Sequence, residues 1–183
     1  KGVAKLSRLY EYDPRMVREA AAQFFGVDFA FKAPVNVSDL PPLPGRPPTL
    51  CPGCPHRATY YSVKQVYGTD AVYPTDIGCY TLGVLPPISM ADFVICMGSS
   101  VSSSCGFSKA SDQKVAAFIG DSTFFHSGIT GLVNAVHNKH KFTLVILDNE
   151  TTAMTGHQPH PGMDASGLGV DLPQISIESV VRG

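Results

Sequence analysis

The chain has 183 residues, 14 Lys and Arg against 15 Asp and Glu, and a formal charge of −1. That length suffices for one full core, and a near-neutral balance with no basic stripe or run of like charge argues against nucleic acid. No apolar stretch reaches membrane-spanning length or has the build of a signal peptide, so a cytoplasmic protein without a membrane partner is expected.

Asp13-Pro14 is a helix start signal, and it predicts a helix from Arg15 to Gly26 with Met16, Val17, Ala20 and Phe24 on one face. From Ala33 to Pro48 the prolines at 34, 41, 42, 44, 47 and 48 allow no regular element. Residues 1–45 therefore read as the end of a preceding domain plus a semi-rigid linker, and 46–183 as a second domain. That domain opens on Cys51-Pro52-Gly53-Cys54-Pro55-His56, which runs into a helix from Arg57 to Val66. A strand from Ala71 to Tyr73 leads to Asp76-Ile77-Gly78-Cys79, and an apolar run from Phe93 to Cys96 meets Met97-Gly98. The small residues of Ser99 to Ala110 suit a helix packed close to a sheet or a ligand.

Next, an apolar run from Val115 to Ile119 stops at Gly120-Asp121-Ser122. Ile129, Leu132, Val133 and Val136 follow at i, i+3, i+4 and i+7, the spacing of an amphipathic helix. A second run, Phe142 to Leu147, stops at Asp148-Asn149. Two continuous apolar runs around one helix read as parallel strands covered on both faces. The fold expected is α/β, a parallel sheet flanked by helices, with His157 to Gly162 as a loop over its ligand edge. The chain begins Lys1-Gly2-Val3 and ends Val181-Arg182-Gly183, so we read it as a piece of a longer polypeptide.

In a parallel sheet the carboxyl ends of the strands share one edge, where ligands bind. Asp121 and Asn149, 28 positions apart, thus stand side by side. A carboxylate and an amide oxygen form a half-site for Mg²⁺, which completes its octahedron with water and phosphate oxygens. Gly120 allows close backbone approach to a phosphate, and the N–H groups of Asp121 and Ser122 can point at it. The alternative is an ordinary crossover whose strand ends carry Asp and Asn.

Five cysteines, an odd number, do not suggest a secreted disulfide framework. Cys51 and Cys54 have CxxC spacing, and Cys79 follows a strand end, so the three suit an iron–sulfur cluster given a fourth ligand. His56, Cys105 or a residue beyond Gly183 could supply it. A Zn²⁺ site on Cys51, Cys54, Cys79 and His56, a redox pair and plain structural thiols stay open. Cys96, inside an apolar strand, and Cys105, inside a helix, read as buried packing residues.

The GDS–DN spacing resembles the thiamine diphosphate motif, usually written GDG, roughly 25 to 30 residues, then NN. CPGCPHRATYYS, DIGCYTLG, CMGSS, GDSTFFHSG and DNETTAMTGHQPHPG occur together and in order. That set resembles the thiamine diphosphate-binding domain of 2-oxoacid:ferredoxin oxidoreductases, above all the alpha subunits of the indolepyruvate enzymes. The resemblance covers about residues 46 to 165. It implies oxidative decarboxylation of a 2-oxoacid, such as an aryl pyruvate, to acyl-CoA and CO₂, with electrons passed through a [4Fe-4S] cluster to ferredoxin. By the same resemblance Asp121 and Asn149 hold Mg²⁺ by side chain and Thr151 by its carbonyl. Gly98, Gly120 and Ser122 line the cofactor, and Met97 wedges under the thiazolium. The glutamate that activates the aminopyrimidine is expected on a separate pyrimidine-binding domain, and a smaller beta subunit is the expected partner. No catalytic residue is therefore assigned within this stretch, which should not turn over alone. A non-oxidative thiamine-dependent decarboxylase and a non-catalytic metal-binding module are the competing readings. Ser122 for Gly and Asp148 for the first Asn are departures from the motif. His126, His157 and His160 flank the edge, where contact with substrate or phosphate and a plain surface or capping role both stay open, so no catalytic role is assigned to them; His137 and His140 read as cations at a helix C-terminus.

Overall fold

The computed structural model describes residues 11–30, 38, 41–42, 44–164, 167 and 169–183. Its contacts divide the chain into two units, Lys1–Gly45 and Arg46–Gly183. In the first, helix α1 (Pro14–Phe25) starts on the Asp13 carboxylate, which accepts the Met16 N–H at 2.8 Å, and ends on left-handed Gly26. The Pro34 of the sequence-predicted linker lies outside the described residues.

The second unit holds α2 (Pro55–Tyr67), a 3-10 turn (Cys79–Val84) and α3 (Ser99–Ala110) before strand β1 (Ala116–Gly120). Then come α4 (Asp121–Thr123), a π-helical turn (Phe124–Gly128), α5 (Ile129–His137), β2 (Thr143–Leu147), a 3-10 turn (Ala153–Thr155) and α6 (Ile177–Arg182). β1 and β2 pair in parallel, from Ala116 opposite Thr143 to Gly120 opposite Leu147. Parallel bridges join Val72 to Val115 and Pro74 to Phe93. Laterally the order is thus Phe93, the 72–74 segment, β1, β2. The second extended segment lies outside the first and the third inside it, so the order reverses between 72–74 and β1. Doubly wound sheets bind their ligands at that crevice. Asp76 and Asp121 leave the two strands that flank it.

β1 is buried throughout. On one side Phe118 packs with Tyr60 and Tyr80; on the other Ile119 packs with Val101 and Phe124. β2 is less covered, running from exposed Thr143 to buried Leu147, so coverage of both faces holds for β1 alone.

Three expectations are corrected here. The run Phe93 to Cys96 pairs only at Phe93. The chain then turns into α3, with Ser99 N–H on the Cys96 carbonyl and Cys96 N–H on Ser99 Oγ, which leaves Cys96 exposed rather than buried. In α5 the buried residues are Gly131 and Ala135, while Val133 and Val136 are exposed. α3 packs close against Gly131, where a Cβ would stand 3.0 Å from Val101 Cβ, so the helix turns its small residues inward and these valines out. No helix among the described residues is long and apolar enough to cross a membrane.

Candidate functional site

β1 ends at Gly120, and Asp121 opens the following helix with only 2% of its surface exposed. Its two oxygens have different partners. Oδ1 accepts the Ser122 N–H at 2.8 Å. Oδ2 accepts the Asn149 N–H at 3.1 Å and a hydrogen from His160 Nε2 at 3.1 Å. Strand pairing thus brings Asp121 and Asn149 together across 28 positions. The outer end of the Asn149 amide lies 3.0 Å from the Thr151 carbonyl oxygen and 3.2 Å from Asp121 Oδ1. With nitrogen at that end the amide donates to both; with oxygen there, three oxygens converge with no hydrogen among them. Asp148, one residue earlier, has its carboxyl pushed up by burial and by the charges of Asp121 and Glu150.

Beside these groups lies a cleft of about 190 Å³, lined by Asp121, Ser122, Asn149, Thr151, Met97 and His56 among others. Ser122 stands where the motif has Gly, and its Oγ accepts the Thr152 hydroxyl at 2.8 Å. The Ser122 hydroxyl hydrogen is thereby turned away from Thr152. Gly120 has a reason the sequence did not disclose: a Cβ there would meet Tyr80 Cε1 at 2.6 Å. The Tyr80 ring fills the space over the strand end, and its hydroxyl donates to the Ile77 carbonyl at 2.8 Å. Burial raises the Tyr80 hydroxyl far above the usual phenol range, so it stays protonated as a donor.

Met97 reaches the cleft because a buried carboxylate holds the turn behind it. Asp76, fully buried, accepts Gly98 N–H at 2.6 Å on Oδ1 and both N–H and O–H of Ser100 on Oδ2. Gly98 sits at φ 87, where a Cβ would come within 2.7 Å of the Ser127 carbonyl oxygen. Glycine is required there on both counts. His56, the second residue of α2, is buried against Tyr80, and burial lowers its pKa more than the negative charge of Asp121 raises it. A neutral imidazole therefore faces the cleft.

Cys51 is exposed, while Cys54 and Cys79 are half-buried. Burial, then the neighbouring Cys54 and Cys51, raises the Cys79 thiol, so the three are electrostatic neighbours. Among the described residues, however, no group of three or more His, Cys, Asp or Glu side chains is placed to hold a metal. Cys105 is buried in α3 with its Sγ on the Val101 carbonyl, as a packing residue.

His126 is exposed and His157 lies 3.4 Å from the Thr151 hydroxyl through Nδ1. His160, whose role the sequence left open, is buried on Asp121 and is not a surface group. His137 closes α5, and His140 bonds Ser108 Oγ through Nδ1 at 3.1 Å. Asp76 and Tyr80 are the site residues that sequence reasoning missed, together with the bond from His160 to Asp121. Only Asp76 left a signal, an Asp closing a strand run as Asp121 does.

Residues 76–183 match the family model described as thiamine pyrophosphate enzyme, C-terminal TPP binding domain. The chain is 52% identical over 183 residues to the indolepyruvate oxidoreductase subunit IorA of Methanothermobacter thermautotrophicus, covering 97% of this chain and 29% of that protein. The subunit IorA of Methanothermobacter marburgensis is 54% identical with the same coverage, and that of Archaeoglobus fulgidus 47% identical over 95% of this chain and 29% of its own. The chain thus spans about three tenths of the length of these relatives. With the match running through the cleft from Asp76 past Asn149, the chain belongs to the thiamine pyrophosphate enzyme family and carries its C-terminal cofactor-binding domain.

Proposed function

We propose that this domain holds the diphosphate end of thiamine diphosphate through Mg²⁺ in an enzyme that oxidatively decarboxylates a 2-oxoacid. The observation that carries the reading is the meeting of Asp121 Oδ1, the Asn149 amide end and the Thr151 carbonyl, with separations of 3.0 and 3.2 Å. Adjacent ligands on an octahedral Mg²⁺ at 2.0–2.1 Å are about 2.9–3.0 Å apart. Three oxygens at that spacing repel one another unless a cation lies among them, so the donor set fits Mg²⁺. The orientation with the amide oxygen inward is the metal-binding one, and the inverted amide is its hydrogen-bonded alternative.

Bound thiamine diphosphate supplies an electron sink for the pair released when CO₂ leaves. The chain's own groups do the rest of the holding. Asp121, Asn149 and Thr151 would hold the metal, the Ser122 hydroxyl would be free to donate to the diphosphate, and Met97, its turn fixed by Asp76, would support the cofactor. His56, kept neutral by burial, would add no positive charge beside the diphosphate. The cleft, at about 190 Å³, is smaller than the roughly 300–1,000 Å³ of a complete ligand pocket. That supports completion of the site by a pyrimidine-binding domain that brings the activating glutamate.

That the relatives are subunits of indolepyruvate oxidoreductases supports indolepyruvate, an aryl pyruvate, as the substrate and a partner subunit, which we take to be a smaller beta subunit. Coenzyme A as acyl acceptor, ferredoxin as electron acceptor and a cytoplasmic location complete the proposal. Cys51, Cys54 and Cys79 are not gathered as a ligand set, so no step is assigned to a [4Fe-4S] cluster on them. The test is indolepyruvate-dependent reduction of ferredoxin by the protein with its partner subunit, CoA, Mg²⁺ and thiamine diphosphate. Asp121→Ala should lower kcat/KM by at least about a hundredfold, the upper end of what outer-sphere changes to metal sites cost. Full activity without thiamine diphosphate would overturn the reading.

A further inference from the structure

One carboxylate oxygen pins both ends of the loop over the cleft. Asp121 Oδ2 accepts the Asn149 N–H and the His160 Nε2 hydrogen, each at 3.1 Å. Between those ends the chain folds back as a small hairpin, in which Thr152 pairs antiparallel with Gln158. The Gly162 N–H donates to His160 Nδ1 at 3.1 Å. Nδ1 is therefore the acceptor, the ring proton sits on Nε2, and that proton points at Asp121. The imidazole stacks on Phe125, with ring centroids 5.9 Å apart and planes at 28°. Its side chain is 4% exposed and that of Asp121 3%.

The two carboxylate oxygens thus divide their work. Oδ1 faces the Asn149 amide and the Thr151 side of the half-site, and Oδ2 faces the loop. We propose that His160 is a positioning residue for the metal half-site: it fixes the rotation of the Asp121 carboxylate so that Oδ1 meets the cation, and ties the 152–158 hairpin over it. This rests on the Mg²⁺ reading of Asp121, Asn149 and Thr151. Outer-sphere donors of this kind orient ligating groups, and their loss costs 10–100-fold in metal affinity. No contact between His160 and the cation is involved.

Two substitutions separate hydrogen bonding from packing. His160→Phe keeps a ring to stack on Phe125 and removes the donor. His160→Gln keeps a donor near the Nε2 position and removes the ring. Mn²⁺ is titrated into the protein in the presence of thiamine diphosphate, bound metal is read by electron paramagnetic resonance, and thermal midpoints are recorded alongside. We expect His160→Phe to weaken Mn²⁺ by about tenfold or more, and His160→Gln to stay within about threefold of wild type. The reverse order, or wild-type affinity in His160→Phe, overturns the proposal in favour of a packing role. Should His160→Phe not fold, a tenfold loss in His160→Gln overturns it equally. Failure of the wild type to bind Mn²⁺ with thiamine diphosphate sinks the metal reading itself, a different outcome from binding that ignores His160.

Discussion

Asp76 and His56 show how much of the site depends on buried polar groups. Removing the Asp76 carboxylate strands three donors, the N–H of Gly98 and the N–H and O–H of Ser100. An unsatisfied buried donor costs about 1–3 kcal/mol, so Asp76→Ala should lose at least about 2 kcal/mol in urea unfolding. Hydrogen exchange at 97–100 should quicken with it, because the same bonds hold the turn that carries Met97; unchanged exchange would argue against that role. His56 makes a prediction about pH. Burial, only partly opposed by Asp121, holds its imidazole below the ordinary 6.5. The unfolded chain therefore takes up the proton first, and protonation favours unfolding. The neutral ring's contribution is whole above pH 6.5 and is lost as the pH falls through that value toward the folded pKa. Thermal midpoints followed from about pH 7.5 to about pH 5.5 should fall more steeply in wild type than in His56→Gln, and parallel curves would contradict this.

At the scale of elements, the site is set by where β1 stops and how α5 leaves it. Gly131 lets α3 come close: a Cβ there would stand 3.0 Å from Val101 Cβ. Gly131→Val should therefore cost about 1–3 kcal/mol through overpacking, whereas the same measurement on Val133→Ala, an exposed position, should show a change under about 0.5 kcal/mol. If Val133→Ala proved the more damaging, the face assigned to α5 would be wrong. This helix also marks the limit of what the sequence reveals. The apolar runs and their terminal Asp and Asn were readable because a parallel strand's burial and its edge follow from local pattern. So were Met97-Gly98 and the small-residue α3. The face of α5 was not, since its buried positions, Gly131 and Ala135, are small residues packed close to a neighbour and carry no apolar signal, while the valines that do carry one are exposed. Cys96 was misjudged for a related reason: an apolar run cannot say where a strand stops pairing. The bond from His160 to Asp121 closes across 39 positions through an irregular loop, and no local spacing encodes such a return.

For the molecule as a whole, the parallel sheet places two acidic strand ends on either side of its crevice and gives them different tasks. Asp76 is consumed in holding the turn that carries Met97, while Asp121 Oδ1, which also accepts the Ser122 N–H, is the oxygen proposed to meet a cation. The cleft is small for a whole cofactor, at about 190 Å³, so on the proposed reading thiamine diphosphate should bind this protein through its diphosphate and metal, and more tightly once the pyrimidine-binding domain is supplied. Calorimetric titration of thiamine diphosphate with Mg²⁺, repeated with EDTA and with Asp121→Ala, tests that most directly. We expect binding that requires Mg²⁺ and is lost in the variant; binding that persists in EDTA, or none even with the pyrimidine-binding domain present, would contradict a metal-held diphosphate at Asp121.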